Sequence, residues 1–309
     1  MSKRIYKYAG STYLNDAFGD SGVTAKFSFP RDFNDPYELF LTIDFNEKPE
    51  VLALYADAIG ELPQLPTTCF SHSPAVAPMW AHYAQNLTGF AIELDEEKLQ
   101  KQFPECRFDD VQYKPSADDG LKETLYRAYA IGKPRYTYML RGGVFNAAYF
   151  TKLECWSYEQ ERRMLAPESE IRHHNGMMLL DIPKDCITGL ICGPRASPET
   201  NQALKAAAAN LSCEYLQMKV GRSNAVPYFI DGNGVSLSFD GSSISPAAAN
   251  CKTCKEPVAP GSDSCSWCRI NDAHKQDAMG RNAYRVLDHL GLLEEYVKGM
   301  DDITYGRKR

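Results

Sequence analysis

Glu159 and Glu161 stand two residues apart in the segment Trp156-Ser-Tyr-Glu-Gln-Glu-Arg-Arg-Met164, behind two aromatic residues. In a strand, side chains alternate between faces, so both carboxylates would project from one face together with Ser157 and Arg163. In a helix, residues two apart do not share a face. Like charges side by side on a strand are costly unless a cation lies between or above them. Such a pair suits acid–base chemistry or the stabilisation of a developing cation. Glu and Arg also alternate on solvated edge strands, so the pair alone does not establish a site.

A second group of residues points to a metal. Cys251-Lys-Thr-Cys254 and Cys265-Ser-Trp-Cys268 are two C-x-x-C pairs separated by ten residues. Each pair chelates from a tight turn, and together they offer a tetrahedral Cys₄ site for Zn²⁺ with no open position, which makes it structural. In so short a segment the metal would supply most of the folding free energy, about 10–16 kcal/mol in zinc-finger peptides. Lys252, Lys255 and Arg269 flank Trp267, which either stacks on a nucleic-acid base or packs against the helix that follows.

The elements that must position these residues follow from pattern. Ile5–Tyr8, Ala25–Phe29, Thr67–Ser71, Thr88–Leu94, Val111–Tyr113, Met177–Ile182, Ile187–Cys192 and Glu214–Val220 read as strands, and Cys155–Leu165 as the strand carrying the glutamates. Val51–Ile59, Pro78–Gln85, Asp95–Gln102, Leu121–Ile131 and Glu199–Asn210 read as helices. The expected organisation is an α+β domain over 1–235, a Gly/Ser/Ala/Pro-rich linker over 236–250, a zinc ribbon over 251–270 and a helical tail over 271–309. In the tail, Ala283, Val286, Leu287, Leu290 and Leu293 would share one helical face, ahead of a basic end, Gly306–Arg309.

Composition narrows the class. The chain has 309 residues, 44% hydrophobic and 24% charged, as in ordinary globular proteins. A net charge of −6 gives no global basic field, though it leaves room for a local one. There is no run of 18 apolar residues to span a membrane, and the N-terminus lacks the apolar stretch of a signal peptide. Cys69, Cys106, Cys155, Cys186, Cys192 and Cys213 are scattered through hydrophobic segments and read as reduced thiols. The expected compartment is the cytoplasm. No G-x-S-x-G, P-loop or G-x-G-x-x-G motif offers competing chemistry.

Several segments together resemble a bacterial domain family of unknown function. They are Tyr6-Lys7-Tyr8, Phe33-Asn-Asp-Pro36 followed by Glu38, Cys69-Phe-Ser71, Met79-Trp-Ala-His-Tyr-Ala84, Gly89-Phe-Ala-Ile-Glu93 and Trp156–Arg163. Their order also resembles the ADP-ribosyltransferase layout: a polar or cationic residue on a first strand, an aromatic-Ser-x-Ser strand, then a Glu-x-Glu strand. The counterparts here are Lys7/Tyr8, Phe70-Ser-His-Ser73 and Glu159-Gln-Glu161. The chain departs from the layout at the first position, where an Arg or His is usual; Arg4 is near but out of register.

The resemblance implies an ADP-ribosyltransferase-like mixed sheet and NAD as substrate. Breaking the nicotinamide–ribose bond builds an oxocarbenium-like cation, as glycoside cleavage does. Glu161 would stabilise that cation, and Glu159 would orient or deprotonate the acceptor. Ser71 and Ser73 would brace Glu161 and the ribose, Trp80 or Tyr83 would stack on nicotinamide with His82 nearby, and Arg31 would meet the pyrophosphate. The resemblance further implies a toxin-like effector of phage defence or a toxin–antitoxin system, with a nucleic-acid or protein acceptor and an antitoxin or inhibitor as partner. The alternative is a non-enzymatic sensor or adaptor that binds a nucleotide or nucleic acid.

Overall fold

Runs of β-branched and aromatic residues such as Thr67-Thr-Cys-Phe-Ser71 and Phe90-Ala-Ile-Glu-Leu-Asp95 build the sheet that carries the candidate residues. The computed structural model describes residues 3–19, 21–117 and 119–306. Its strands are β1 (Arg4–Ala9), β2 (Phe18–Gly19), β3 (Gly22–Phe27), β4 (Thr67–Ser71), β5 (Phe90–Asp95), β6 (Arg107–Asp110), β7 (Gln112–Lys114), β8 (Thr151–Leu153), β9 (Glu161–Leu165), β10 (Arg172–His174), β11 (Met177–Pro183), β12 (Ile187–Cys192), β13 (Glu214–Lys219), β14 (Tyr228–Asp231), β15 (Ser236–Phe239) and β16 (Ile244–Pro246). Its helices are α1 (Leu14–Ala17), α2 (Pro49–Ile59), α3 (Ala77–Tyr83), α4 (Glu96–Gln102), α5 (Asp119–Ile131), α6 (Pro134–Phe150), α7 (Pro198–Leu211), α8 (Asp272–Arg281), α9 (Ala283–His289) and α10 (Leu293–Thr304).

The chain forms two compact units, Met1–Ala247 and Ala248–Arg309. The first is a mixed α+β body. Ten of its strands form one sheet in the order β16-β15-β14-β13-β12-β5-β1-β4-β9-β6. Strands β10-β11-β3-β2 form a second sheet, and β7-β8 a parallel pair. In the large sheet β12 and β13 run parallel, which requires a crossover, and α7 supplies it.

Alternation along β5 sends Phe90, Ile92 and Leu94 into a core with Ile5, Phe70 and Met164, while Ala91 joins Tyr6, Tyr8 and Trp80 on the opposite face. Burying each large apolar side chain contributes about 1.5–3 kcal/mol. A separate cluster, with Val51, Leu125, Leu140 and Val144 at its centre, holds α2, α5 and α6 together.

Three expectations need correction, and one helix has no counterpart among them. The segment 236–250 is not a linker throughout: β15 and β16 continue the large sheet, because Ser236-Leu-Ser-Phe239 alternates and Leu237 is buried. The glutamate strand is shorter than 155–165. A 3-10 turn spans Glu154–Glu159, Gln160 takes a left-handed conformation (φ 45°), and the strand begins at Glu161. Helix α6, the longest in the described chain, had no counterpart in the pattern reading: Gly142-Gly143 and the aromatic residues depress local propensity, while the buried Leu140, Val144 and Ala148 hold it by packing. The tail is three helices, since Gly291 at φ 70° separates α9 from α10, and Leu290 is exposed rather than packed. The basic residues 307–309 lie outside the described residues.

Candidate functional site

The sheet order makes neighbours of three distant segments. On β1 and β4, Tyr6 is the register partner of Ser71, and across β4 and β9 Ser71 is the partner of Glu161. A cavity of about 600 Å³ opens beside these strands. Lys7, Tyr8, Ser71, His82, Tyr83, Lys152, Glu159 and Glu161 all line it, together with Asn34 and Asp35 of the F-N-D-P segment.

The two carboxylates meet by a route that strand alternation does not describe. The left-handed Gln160 turns the chain, and Lys152 on β8 reaches between the two glutamates. Its Nζ lies 2.9 Å from Glu159 Oε2 and 2.8 Å from Glu161 Oε2. Arg163, 0% exposed, bonds Glu161 Oε1 through Nε at 2.7 Å and Glu38 Oε1 through a terminal nitrogen at 2.7 Å. Three buried carboxylates and two buried cations thus form one network. Such a network does not imply net stabilisation, because desolvating each charge is costly, but removing a single member leaves its partners uncompensated.

The environment drives the two glutamates apart. Burial raises the Glu159 carboxyl above its ordinary value, and Lys152 only partly offsets this. Burial also works against the Glu161 charge, but Arg163 and Lys152 outweigh it and hold that carboxyl well below the usual range. Glu161 is therefore the member held as the anion, and Glu159 the one that keeps its proton more tightly than a free carboxyl, a division of labour typical of paired acid–base residues. The Tyr83 hydroxyl donates to Glu159 Oε1, and the Ser71 hydroxyl donates to the Glu159 carbonyl at 2.7 Å. The Glu161 backbone N–H donates to the Tyr113 hydroxyl at 2.8 Å.

The remaining candidates divide. Lys7 is half-buried, desolvation lowers its ammonium, and its Nζ donates to the Cys69 carbonyl at 3.0 Å. The Tyr8 hydroxyl donates to the Ser73 carbonyl at 2.8 Å. His82 is exposed at the cavity and pairs through Nδ1 with the Tyr158 hydroxyl at 3.2 Å. Four expectations are corrected. Trp80 is 0% exposed, donates from Nε1 to the Pro74 carbonyl and packs edge-on to Tyr8, so it is a core residue with no face for a ring to stack on. Ser73 is buried outside the cavity lining, where its hydroxyl accepts from the Ala75 N–H. Arg31 is exposed, lies over the Phe29 ring and does not line the cavity. Ser71, for its part, holds the backbone of Glu159 rather than the carboxylate of Glu161. Arg4 is occupied by Asp95 and Glu93.

Pattern reading missed Lys152. It is a lone lysine between an unassigned helix and the motif, and nothing local distinguishes it. Glu38 was within reach, since it follows the F-N-D-P segment.

In the second unit, the ligand atoms of Cys251, Cys254, Cys265 and Cys268 all lie within 4.8 Å of one another. Backbone N–H groups of Cys254 and Cys265 lower the Cys251 thiol to about 6, which favours a thiolate ligand. The cluster can hold a metal ion such as zinc. Trp267 is 53% exposed. Among the described residues no helix is long and apolar enough to cross a membrane.

No curated protein and no solved structure matches the chain. Residues 79–164 match a family described as a protein of unknown function (DUF2971), a stretch that runs from α3 into β9 and takes in Tyr83, Lys152, Glu159, Glu161 and Arg163.

Proposed function

We propose that the protein is an NAD-dependent ADP-ribosyltransferase, a toxin-like effector of phage defence or a toxin–antitoxin system, acting on a nucleic-acid or protein acceptor. The observation that carries this reading is the pair Glu159/Glu161. Its members open on one cavity, are bridged by one lysine, and have carboxyl groups displaced in opposite directions. The adjacency of β1, β4 and β9 supports it further, because these strands carry the three segments on which the resemblance rests.

In this mechanism the nicotinamide–ribose bond breaks and its electron pair leaves with nicotinamide. Glu161, held anionic by Arg163 and Lys152, faces the positive charge that develops at the ribose carbon. The acceptor then bonds to that carbon, and its proton passes to Glu159. Tyr83 and Ser71 fix Glu159 by side chain and backbone respectively. In the second unit, zinc would be held by Cys251, Cys254, Cys265 and Cys268, and its chemistry there is structural.

One observation favours the rival reading of a non-enzymatic nucleotide-binding module: Lys152 and Arg163 already compensate the Glu161 charge. Nicotinamide release from NAD, measured for the wild type, Glu161→Gln and Glu159→Gln, separates the two. Turnover that falls in both variants supports the transferase. NAD binding without turnover, in the presence of nucleic-acid and protein acceptors, would leave only the binding module.

A further inference from the structure

The α5–α6 hairpin carries a charge pattern unlike the rest of this acidic chain. Between Glu123 and Glu154 there is no carboxylate, whereas Arg127, Lys133, Arg135, Arg141 and Lys152 all fall in that interval. Lys152 is buried in the glutamate network, and Arg127 pairs with Glu123. Lys133, Arg135 and Arg141 are exposed and make no ion pair among the described residues. The protein as a whole carries −6. A cationic surface on such a background is a local feature, not a by-product of composition.

Aromatic residues interleave with these cations. Tyr138, 81% exposed, lies three residues from both Arg135 and Arg141 and so shares a helical face with each. Tyr129 is also exposed, and the Arg135 guanidinium lies 4.8 Å over the Tyr136 ring. Packing on the other side fixes this orientation: Leu140 and Val144 of α6 are buried against Leu125 and Ala128 of α5. Gly143 permits the close approach, since a Cβ there would meet Leu121 Cδ2 at 2.4 Å. Gly142, with nothing near its own missing Cβ, opens a shallow depression beside Tyr138, Met139 and Arg141.

From this geometry we infer that the outer face of the α5–α6 hairpin binds single-stranded nucleic acid. Lys133, Arg135 and Arg141 contact phosphates, and Tyr138 stacks on a base. Guanidinium groups match phosphate geometry, and base stacking on tyrosine tolerates any sequence. The cysteine unit is a weaker candidate for this role, because Lys252 is occupied by Asp263. The surface lies away from the cavity lining, so the inference stands whether or not the cavity cleaves NAD. It also selects nucleic acid as the acceptor if it does.

The test is fluorescence anisotropy of the full chain with labelled oligo(dT) and oligo(U), at salt concentrations from low to physiological. The triple variant Lys133→Ala/Arg135→Ala/Arg141→Ala should weaken binding about tenfold or more at moderate salt and flatten the log–log salt slope by about 2. Tyr138→Ala should weaken it about fivefold or more with the slope unchanged. Circular dichroism, and nicotinamide release measured without nucleic acid, should not change in either variant, since these side chains are exposed and do not line the cavity of the glutamates. The inference is overturned if the wild type does not bind either oligonucleotide. It is equally overturned if binding is lost only in Lys252→Ala/Lys255→Ala/Arg269→Ala. Binding to phosphatidylserine vesicles through the same residues, without oligonucleotide binding, would identify a membrane surface instead.

Discussion

The Lys152 ammonium lies 2.8 Å from Glu161 Oε2, and both groups are buried. The lysine is the cation that a pair of neighbouring carboxylates requires. Replacing it by methionine would leave Glu159 and Glu161 facing each other with Arg163 alone to compensate. Lys152→Met should therefore cost about 3–5 kcal/mol in urea unfolding. Glu159→Gln introduced into that variant should recover part of the loss by removing one like charge. Equal stability of Lys152→Met and wild type would mean that the network is not formed in solution.

The acid–base assignment has a pH signature. Burial raises the Glu159 carboxyl, and the bond from Tyr83 draws it back down. Transferase activity that needs Glu159 as a base should rise with pH through this elevated value. Tyr83→Phe removes the bond to the carboxylate, so the rising limb should move to higher pH. Steady-state nicotinamide release from pH 5 to 9 reads this directly, and a limb that stays in place in Tyr83→Phe removes Glu159 from the role.

Stability should respond to acid with the opposite sign at the two glutamates. Glu161 titrates lower in the folded chain than its ordinary value of 4.5, so the stability it contributes is present above about that pH and is lost as pH falls further. Glu159 and Glu38 titrate higher when folded, so their contribution declines as pH rises from about 4.5 through their elevated values. In Glu161→Gln the acid limb of the urea midpoint should flatten. An unaltered limb would show that Glu161 is not held anionic by Arg163 and Lys152.

Metal removal should act on one unit. Cys251→Ser/Cys254→Ser should lower the bound zinc to well below one equivalent, by elemental analysis, and chelation should expose the segment after Ala248 to protease. The body up to Ala247 has its own core and should keep its melting transition. Undiminished zinc in the double variant would rule out the four-cysteine assignment.

Trp80 offers a check on the boundary between core and cavity. It packs on Tyr8 and bonds the Pro74 carbonyl, so Trp80→Phe should lower stability by about 1–3 kcal/mol through the lost bond and the unfilled volume. NAD affinity, measured calorimetrically, should be unchanged. A large loss of affinity at unchanged stability would restore Trp80 to the site.

Local features were legible in the chain itself. Strand β4 was expected at the residues where it occurs, because Thr67-Thr-Cys-Phe-Ser71 combines β-branched and aromatic residues with a following proline. Strand β12 is similar, and the four cysteines are identified by spacing because a tight turn determines which ligands can converge. What pattern could not reach was any relationship decided by strand order. Nothing near Arg163 in sequence announces Glu38, 125 positions away, and nothing near Lys152 shows that a left-handed residue at Gln160 will bring two carboxylates onto one ammonium. Nor does the aromatic character of Trp80 tell core from cavity. Propensity and spacing act over a turn or two of chain, whereas a buried charge takes its partner from whatever the sheet sets beside it. Only once the 3-10 turn and Gln160 fold the chain back between β8 and β9 do Glu159 and Glu161 share Lys152, and only the tertiary fold brings Glu38 to Arg163.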